Sequence, residues 1–416
     1  MKKVKHIILA FLKKFPGFRP LARLGVRVAI GCFYRLCCLF FPVDDKVIFF
    51  ESFLGRSYSD SPRAIYEYLL TDPRFSDYTF VWTFRDIKKA DFLTDRKRTK
   101  AVKFMASPDY FKYRAKAGVW IGNSRLYAGI TRRKKQQYIQ TWHGSPLKRL
   151  AYDIEQGNNA MNSARELRQK YDMDTKQYTA LLSYSPFCTE KFTTAFGLEK
   201  LGLVHIIKEV GAPRNDMIVP YIAAKSADFK VRLGIDPAKK VLLYAPTWRD
   251  NQYDAKMGYT HKNELDFDRL RREIGKDWVV LFRAHYHVAN QFDFAAYEGF
   301  VVDASKEEDI IHLFPAADLL VTDYSSVFFD FALLERPMVF YMYDLEEYRD
   351  ETRGFYFGLD ELPGPVIQTM DELISTIVNL PLPDHKKLRA FKEKFLCLDD
   401  GEASRRVADL VVGNSE

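Results

Sequence analysis

Residues 141–149 read Thr-Trp-His-Gly-Ser-Pro-Leu-Lys-Arg. His143 closes an apolar run from Tyr138 to Trp142, and Gly144, Pro146 and the basic pair Lys148 and Arg149 follow at once. The layout predicts a strand spilling into a tight loop, with an imidazole at the strand's carboxyl edge. Open α/β sheets bind ligands at that edge. Imidazole titrates near neutral pH, so a group placed there can take a proton from a reacting hydroxyl. Taken alone, His143 reads equally well as a structural loop residue.

Three further runs place unusual residues at predicted strand ends. They are Tyr-Ala-Pro-Thr-Trp-Arg-Asp from Tyr244 to Asp250, Phe-Arg-Ala-His-Tyr-His from Phe282 to His287, and Asp323-Tyr324-Ser325-Ser326. The last precedes an apolar helical run, Val327 to Leu334, which the two serines can cap. A helix start with outward N–H groups and partial positive charge is a ready phosphate site. Arg214, Arg249, Arg283 and His285 can bring further positive charge to it. The alternative is that the serines only cap and that Arg283 is a surface cation. Their joint position at successive strand ends favours the anion site.

The sequence has no glycine-rich phosphate loop of Walker or dinucleotide type. Asp172-Met173-Asp174 lies in a polar helical stretch and reads as a solvated face, not a metal pair. The expectation is a mechanism without metal or cofactor, in which histidine and arginine replace the cation that many phosphoryl-transfer enzymes need.

A chain of 416 residues is too long for one ordinary core and suits two domains. From Lys46 onward, short apolar runs alternate with helical segments: Val47–Phe50, Tyr78–Phe84, Ala101–Phe104, Val119–Ile121, Tyr138–Trp142 and Thr179–Ser183 read as buried strands. Pro62–Leu70 and Pro108–Ala117 read as helices between them. Turn residues near 211–220 mark a crossing point. The pattern then restarts with Val241–Ala245, Trp278–Phe282, Phe300–Val302, Asp318–Thr322 and Met338–Met342. The prediction is an α/β protein of two Rossmann-like, doubly wound domains, 46–212 and 213–416, facing a cleft. A helical segment from Asp371 to the end packs back across the body, its last helix on the N-terminal domain.

Residues 1–46 hold ten Lys or Arg against Asp44 and Asp45, so the formal charge of +8 sits in an N-terminal appendage. That placement, with no recognised nucleic-acid signature, argues against a DNA or RNA partner. Val4, Ile7, Ile8, Phe11, Leu12 and Phe15 fall on one helical face among lysines, and a second helix is expected from Pro20 to about Phe41. No uncharged apolar run approaches the ~18–20 residues needed to cross a bilayer, and Arg27 and Arg35 interrupt any secretory signal core. Residues 1–45 therefore read as interfacial helices on an anionic, cytoplasmic membrane face; the alternative is that the stripe packs on the globular body. The five cysteines show neither framework nor CxxC spacing, which suits a reducing compartment.

Five runs together carry a resemblance: Thr-Trp-His143-Gly-Ser-Pro-Leu-Lys, Gly211-Ala-Pro-Arg214-Asn-Asp, Ala-Pro-Thr247-Trp-Arg249, Arg283-Ala-His285 and Thr-Asp323-Tyr-Ser325-Ser326-Val-Phe-Phe-Asp330. From about residue 47 to 400 the sequence resembles the CDP-glycerol glycerophosphotransferases, the teichoic-acid primases and polymerases of Gram-positive bacteria. The resemblance implies a GT-B-like fold and a peripheral membrane enzyme. It also implies transfer of a polyol phosphate from CDP-glycerol or CDP-ribitol to a lipid-linked or polymeric teichoic-acid or capsule acceptor, with release of CMP. His143 is then the base, with Arg283 and His285 on the transferring phosphoryl and the departing CMP. Arg214, Thr247 and Arg249 hold the nucleotide or its phosphates. Gly144 and Ser145 line the substrate site, and Ser325 and Ser326 carry the pyrophosphate. Asp330 binds a donor hydroxyl or orients a neighbouring cation. Ser145 departs from the threonine most common there, and both supply a hydroxyl.

Two rival readings share the fold. A GT-B glycosyltransferase would yield a glycoside and a nucleoside diphosphate in place of a phosphodiester and CMP. A non-catalytic membrane scaffold would bind no CDP-polyol, and it would have no need of histidines at both strand ends.

Overall fold

The computed structural model describes residues 19–127, 129–154, 164–222, 226–247, 253–254, 258–259, 265–283, 294–347, 354–380 and 382–413. The expected stripe over residues 4–15 lies outside them, as do Trp248, Arg249 and the run 284–287 with His285. Two parallel sheets, of seven and six strands, form the framework, and the chain divides into two compact units. One comprises the residues through Arg56 with Pro73–Ile139; the other comprises Ser57–Asp72 and Gln140 onward.

In the first unit, β1 (Asp44–Glu51), β2 (Thr79–Phe84), β3 (Thr99–Lys103) and β4 (Ala117–Gly122) are ordered β3-β2-β1-β4. All pair in parallel, with Ile48 opposite Phe80 on one side and Val119 on the other. Ile48, Phe49 and Phe50 are fully buried. A parallel sheet covered on both faces asks for such an unbroken apolar run. The helix Arg19–Phe40 packs on the helix Pro108–Lys116, where Phe33 meets Phe111 edge-on at 5.0 Å. Tyr34 and Cys37 are buried, whereas Leu21, Leu24, Val28, Leu36, Leu39 and Phe40 face outward, Leu39 at 82% exposure. No helix among the described residues is long and apolar enough to cross a membrane.

The strand β5 (Gln137–Gln140) carries the chain to the boundary between the units. In the second unit, β6 (Ala180–Ser183) pairs in parallel with β7 (Ile207–Glu209). The six-stranded sheet follows, built from β8 (Lys240–Ala245), β11 (Trp278–Phe282), β12 (Val301–Asp303), β13 (Leu319–Thr322), β14 (Met338–Tyr341) and β15 (Val366–Ile367). A short hairpin, β9 (Tyr253–Asp254) with β10 (Gly258–Tyr259), lies between the first two of these in the chain. The order is β12-β11-β8-β13-β14-β15, all parallel. Tyr244 of β8 stands opposite both Phe282 and Val321, so the chain leaves β11, β8 and β13 side by side. Leu242, Val280, Val321, Leu270 and Leu373 form the core around these strands.

The C-terminal segment forms the helices Met370–Val378, His385–Phe395 and Ala403–Gly413. The first is fixed by a capping box in which Thr369 and Glu372 satisfy each other's backbone N–H groups. The second packs through Phe395 on Phe187, ring centroids 4.8 Å apart. The last lies on the helix Asp60–Thr71, and its Ala403 and Ser404 N–H groups donate to the Asp216 carboxylate.

Candidate active site

The β5 strand stops at Gln140, two residues earlier than the apolar run suggests. Gln140 turns its own amide oxygen to accept from the Trp142 N–H at 3.0 Å, and Trp142 takes the left-handed φ of 53°. A bulky residue holds that conformation only where its surroundings fix it. Trp142 is wedged edge-on against Phe196 at 4.9 Å and is buried to 6% exposure. His143 stacks on its outer face at 4.4 Å and is exposed. The indole is thus a fixed platform, and the imidazole it carries meets solvent.

Gly144 has φ of 154°, and a Cβ built on it would sit 2.8 Å from Ser326 Oγ and 3.6 Å from an Arg214 terminal nitrogen. A side chain there would force Ser326 to move and would sit on a backbone conformation that residues other than glycine rarely adopt. The histidine loop therefore abuts the segment after β13, inside one compact unit. Ser145 is buried and accepts from the Cys188 thiol at 3.5 Å. Burial pushes that thiol up to about 11, so it stays protonated at neutral pH.

Arg214 lies on the short helix Pro213–Asp216 beneath this contact. It donates to Asp330 at 2.8 Å and to Asp60 at 3.2 Å, and all three side chains are under 10% exposed. Burial works against the guanidinium charge, but Asp330 and Asp60 outweigh it and hold Arg214 well above its ordinary value. Burial also raises the Asp330 carboxyl, and Arg214 pulls it back. Next door, Asn215 donates to Asp399 at 2.8 Å and the Ala212 N–H donates to it at 2.7 Å, while burial pushes Asp399 up to about 7.

At the ends of β8 and β13, one oxygen of Asp323 accepts from the N–H groups of Thr247, at 2.8 Å, and Tyr324, at 2.6 Å. Thr322 Oγ1 donates to the Ala245 carbonyl at 2.7 Å one step below. The two strand ends are clipped together, with Ser325 and Ser326 just beyond. The helix they were expected to cap is shorter than the apolar run: Val327–Phe331 is α-helical and Ala332–Leu334 tightens into a 3-10 turn. Ser325 Oγ accepts from the Val327 N–H at 3.4 Å, but Ser326 makes no side-chain cap, because its backbone is already helical. Five residues also align fewer peptide dipoles than the expected eight. Arg283 follows β11, its N–H on the Tyr244 carbonyl at 2.9 Å. Burial lowers it, against Asp309, Glu307 and Asp303.

The structure thus gathers Gly144, Arg214, Ser326 and Asp330 into one patch, with His143 next to Gly144 in the chain and Thr247, Ser325 and Arg283 at adjoining strand ends. Asp60, Asp309 and Asp323 were not among the predicted site residues. Asp60 opens the helix Asp60–Thr71 at φ 63°, and its N–H donates to Asp309 at 3.0 Å. Ser-Asp-Ser-Pro announces a helix start, but nothing in it announces the distant arginine. The pair Asp172 and Asp174 is less solvated than expected: Asp174 is buried under the Tyr178 hydroxyl, and Asp172 accepts from Tyr152 at 2.6 Å. Among the described residues, no cluster of three metal-ligand side chains occurs.

These features define an α/β protein whose site is assembled at the carboxyl ends of parallel strands. The sequence from residue 33 to 413 matches the model of the CDP-glycerol:poly(glycerophosphate) glycerophosphotransferases, and the chain belongs to that family. It is 40% identical over 375 residues to a teichoic acid poly(glycerol phosphate) polymerase of Bacillus subtilis strain 168, covering 89% of this chain and 49% of that one. A teichoic acid glycerol-phosphate transferase of Staphylococcus aureus strain NCTC 8325 is 35% identical over 376 residues, 88% of this chain and 92% of that one. The chain thus spans about half the length of the first relative and nearly all of the second. The solved structure of the wall teichoic acid polymerase TagF superposes with a TM-score of 0.81 at 33% identity, covering 96% of both chains. The GT-B-like fold expected from the sequence is the one found.

Proposed function

We propose that this chain transfers glycerol phosphate from CDP-glycerol to a hydroxyl of a teichoic-acid acceptor and releases CMP. The acceptor oxygen forms a bond to the β-phosphorus, the bond from that phosphorus to the bridging oxygen breaks, and CMP departs with the electron pair. His143, held outward on Trp142, takes the acceptor proton. Arg283 and His285 offset charge on the phosphoryl oxygens and the departing CMP, while Thr247, Arg249, Ser325 and Ser326 hold the nucleotide and its diphosphate. Gly144 and Ser145 shape the loop, and Arg214, fixed by Asp60 and Asp330, holds the turn beneath the nucleotide's phosphates.

The observation that carries this reading is the approach of Gly144 to Ser326, which sets the histidine loop against the serine pair in a member of this family. Residues 46–212 would take the acceptor and 213–416 the donor, without a metal or other cofactor. Glycerol is favoured over ribitol as donor because the relatives above are named for glycerol phosphate.

The acceptor is lipid-linked or polymeric in this reading, and the chain works peripherally on the cytoplasmic side of the membrane. Support comes from the helix Arg19–Phe40, which leaves Leu39 and Phe40 at 82% and 71% exposure beside exposed Arg27 and Arg35. An apolar face flanked by cations suits an anionic bilayer surface. The central test is CMP release from CDP-glycerol with a glycerol-phosphate acceptor. His143→Ala should lower it by the ~10²–10⁴-fold of a lost general base, and near-normal turnover would remove His143 from the mechanism.

A further inference from the structure

A cavity of about 950 Å³ opens in the second unit beside the histidine loop. Its wall carries three cations, Arg149, Arg168 and Lys191, and three aromatic rings, Tyr152, Phe355 and Tyr356. Two carboxylates share the wall, and both are engaged. Asp153 accepts from the Tyr356 hydroxyl at 2.6 Å and from the Thr194 hydroxyl at 2.7 Å. Glu190 pairs with Lys191 at 2.5 Å. Burial and the bond to Asp153 raise the Tyr356 phenol, so it stays a proton donor at neutral pH. The balance of three cations against two occupied carboxylates leaves the wall positive. Arg168 lies over the Tyr152 ring at 5.4 Å.

The cavity is fastened to both parts of the candidate active site. Arg149 N–H donates to the Gly354 carbonyl at 3.1 Å and Tyr356 N–H to the Leu147 carbonyl at 2.9 Å, so the histidine loop and residues 354–356 form a short antiparallel ribbon. Phe355 stacks on Tyr324, rings 5.9 Å apart and 16° from parallel, next to Ser325. Arg149 follows His143 by six positions, a reach of at most about 20 Å. That distance matches a few repeats of a short polyol phosphate, not a remote surface.

We infer that this cavity is an acceptor subsite: a phosphodiester one or more repeats behind the attacking hydroxyl lies against Arg149 and Arg168, with its polyol over Phe355. The inference rests on the transfer reading above and adds where the growing anionic chain is gripped. Guanidinium forks match phosphate oxygens in pairs. Aromatic faces on the same wall suit the C–H surface of a polyol. The subsite reads phosphates already in the chain, so it acts on affinity for longer acceptors and leaves the donor untouched.

The test uses the full chain with synthetic glycerol-phosphate acceptors of one, two and four repeats. Arg168→Gln and Arg149→Gln should each raise KM for the four-repeat acceptor about tenfold, the loss of one charge-assisted contact. KM for CDP-glycerol and kcat on the one-repeat acceptor should stay unchanged, and Arg168→Lys should recover part of the loss. Calorimetry without donor should show the four-repeat oligomer binding wild type more tightly than Arg168→Gln. Equal losses on all acceptor lengths, competition for the cavity by CMP, or no change in KM would each overturn the inference. If the wild type released no CMP, the transfer reading would fall, while the calorimetric difference would still report on the subsite.

Discussion

Gly144 and Ser326 meet so closely that a methyl group on the glycine would lie 2.8 Å from the serine oxygen. The contact fixes the distance between a loop that carries an imidazole and a turn that follows a buried strand. Gly144→Ala should cost about 1–3 kcal/mol of stability through forced overpacking and lower turnover at least tenfold. Ser326→Gly in the same background removes the obstructing atoms. A double-mutant cycle by urea unfolding should give a coupling of about 0.5–3 kcal/mol; simple additivity would mean the loop relaxes freely.

Arg214 sits between two buried carboxylates, so removing it strands both. Arg214→Met should destabilise by about 3–5 kcal/mol. Adding Asp330→Asn should recover part of that cost, since one uncompensated charge is then gone. Chemical denaturation of the single and the double variant measures both effects, and a double variant no more stable than the single one would argue against the trio as a unit.

Asp399 gives a pH signature. Its carboxyl releases a proton near 3.8 when unfolded and near 7 when folded, because burial disfavours the charge. Between those values the folded state binds more protons than the unfolded one, so stability from this group falls as pH rises through that window and levels off above it. Asp399→Asn keeps an acceptor for the Ala212 N–H and does not titrate. The wild-type urea midpoint should therefore fall relative to that of the variant between pH 5 and pH 8, because the variant mimics the protonated carboxyl and does not lose stability as pH rises.

The outward face of the helix Arg19–Phe40 predicts membrane partition. Replacing Leu39 and Phe40 by Asp removes two side chains whose burial is worth about 1.5–3 kcal/mol each. Co-sedimentation with vesicles containing anionic lipid should fall more than tenfold, while turnover of a short soluble acceptor stays the same. Unchanged partition would assign that face to another partner.

Much of this arrangement was legible in the sequence, and the failures have physical causes. The strands β8, β11 and β13 were placed to within a residue because parallel strands buried on both faces leave an unbroken apolar record. The strands β7 and β15 were missed because Ile-Lys-Glu and Val-Ile are too short to show a period. The strand before His143 ended early because Gln140 capped Trp142 with its own side chain, a local hydrogen bond that hydrophobicity does not encode. Ser326 looked like a cap from its neighbours alone, yet its helical φ/ψ left its hydroxyl facing Gly144. Asp60 was invisible for a different reason. Its partner is 154 residues away, and only folding brings the two together.

The trio of Asp60, Arg214 and Asp330 also bears on how such a protein can drift. Its members are separated by 154 and 116 positions, yet losing Arg214 leaves two carboxylates out of water with no partner cation, and losing either carboxylate breaks a buried charged hydrogen bond. Single replacements there are steps downhill in fitness, and only concerted exchanges, such as a neutral set of similar volume, offer a level path. Across evolutionary time these three sites should change together or stand still. Their statistical coupling among relatives would then record an electrostatic constraint that no stretch of adjacent residues reveals.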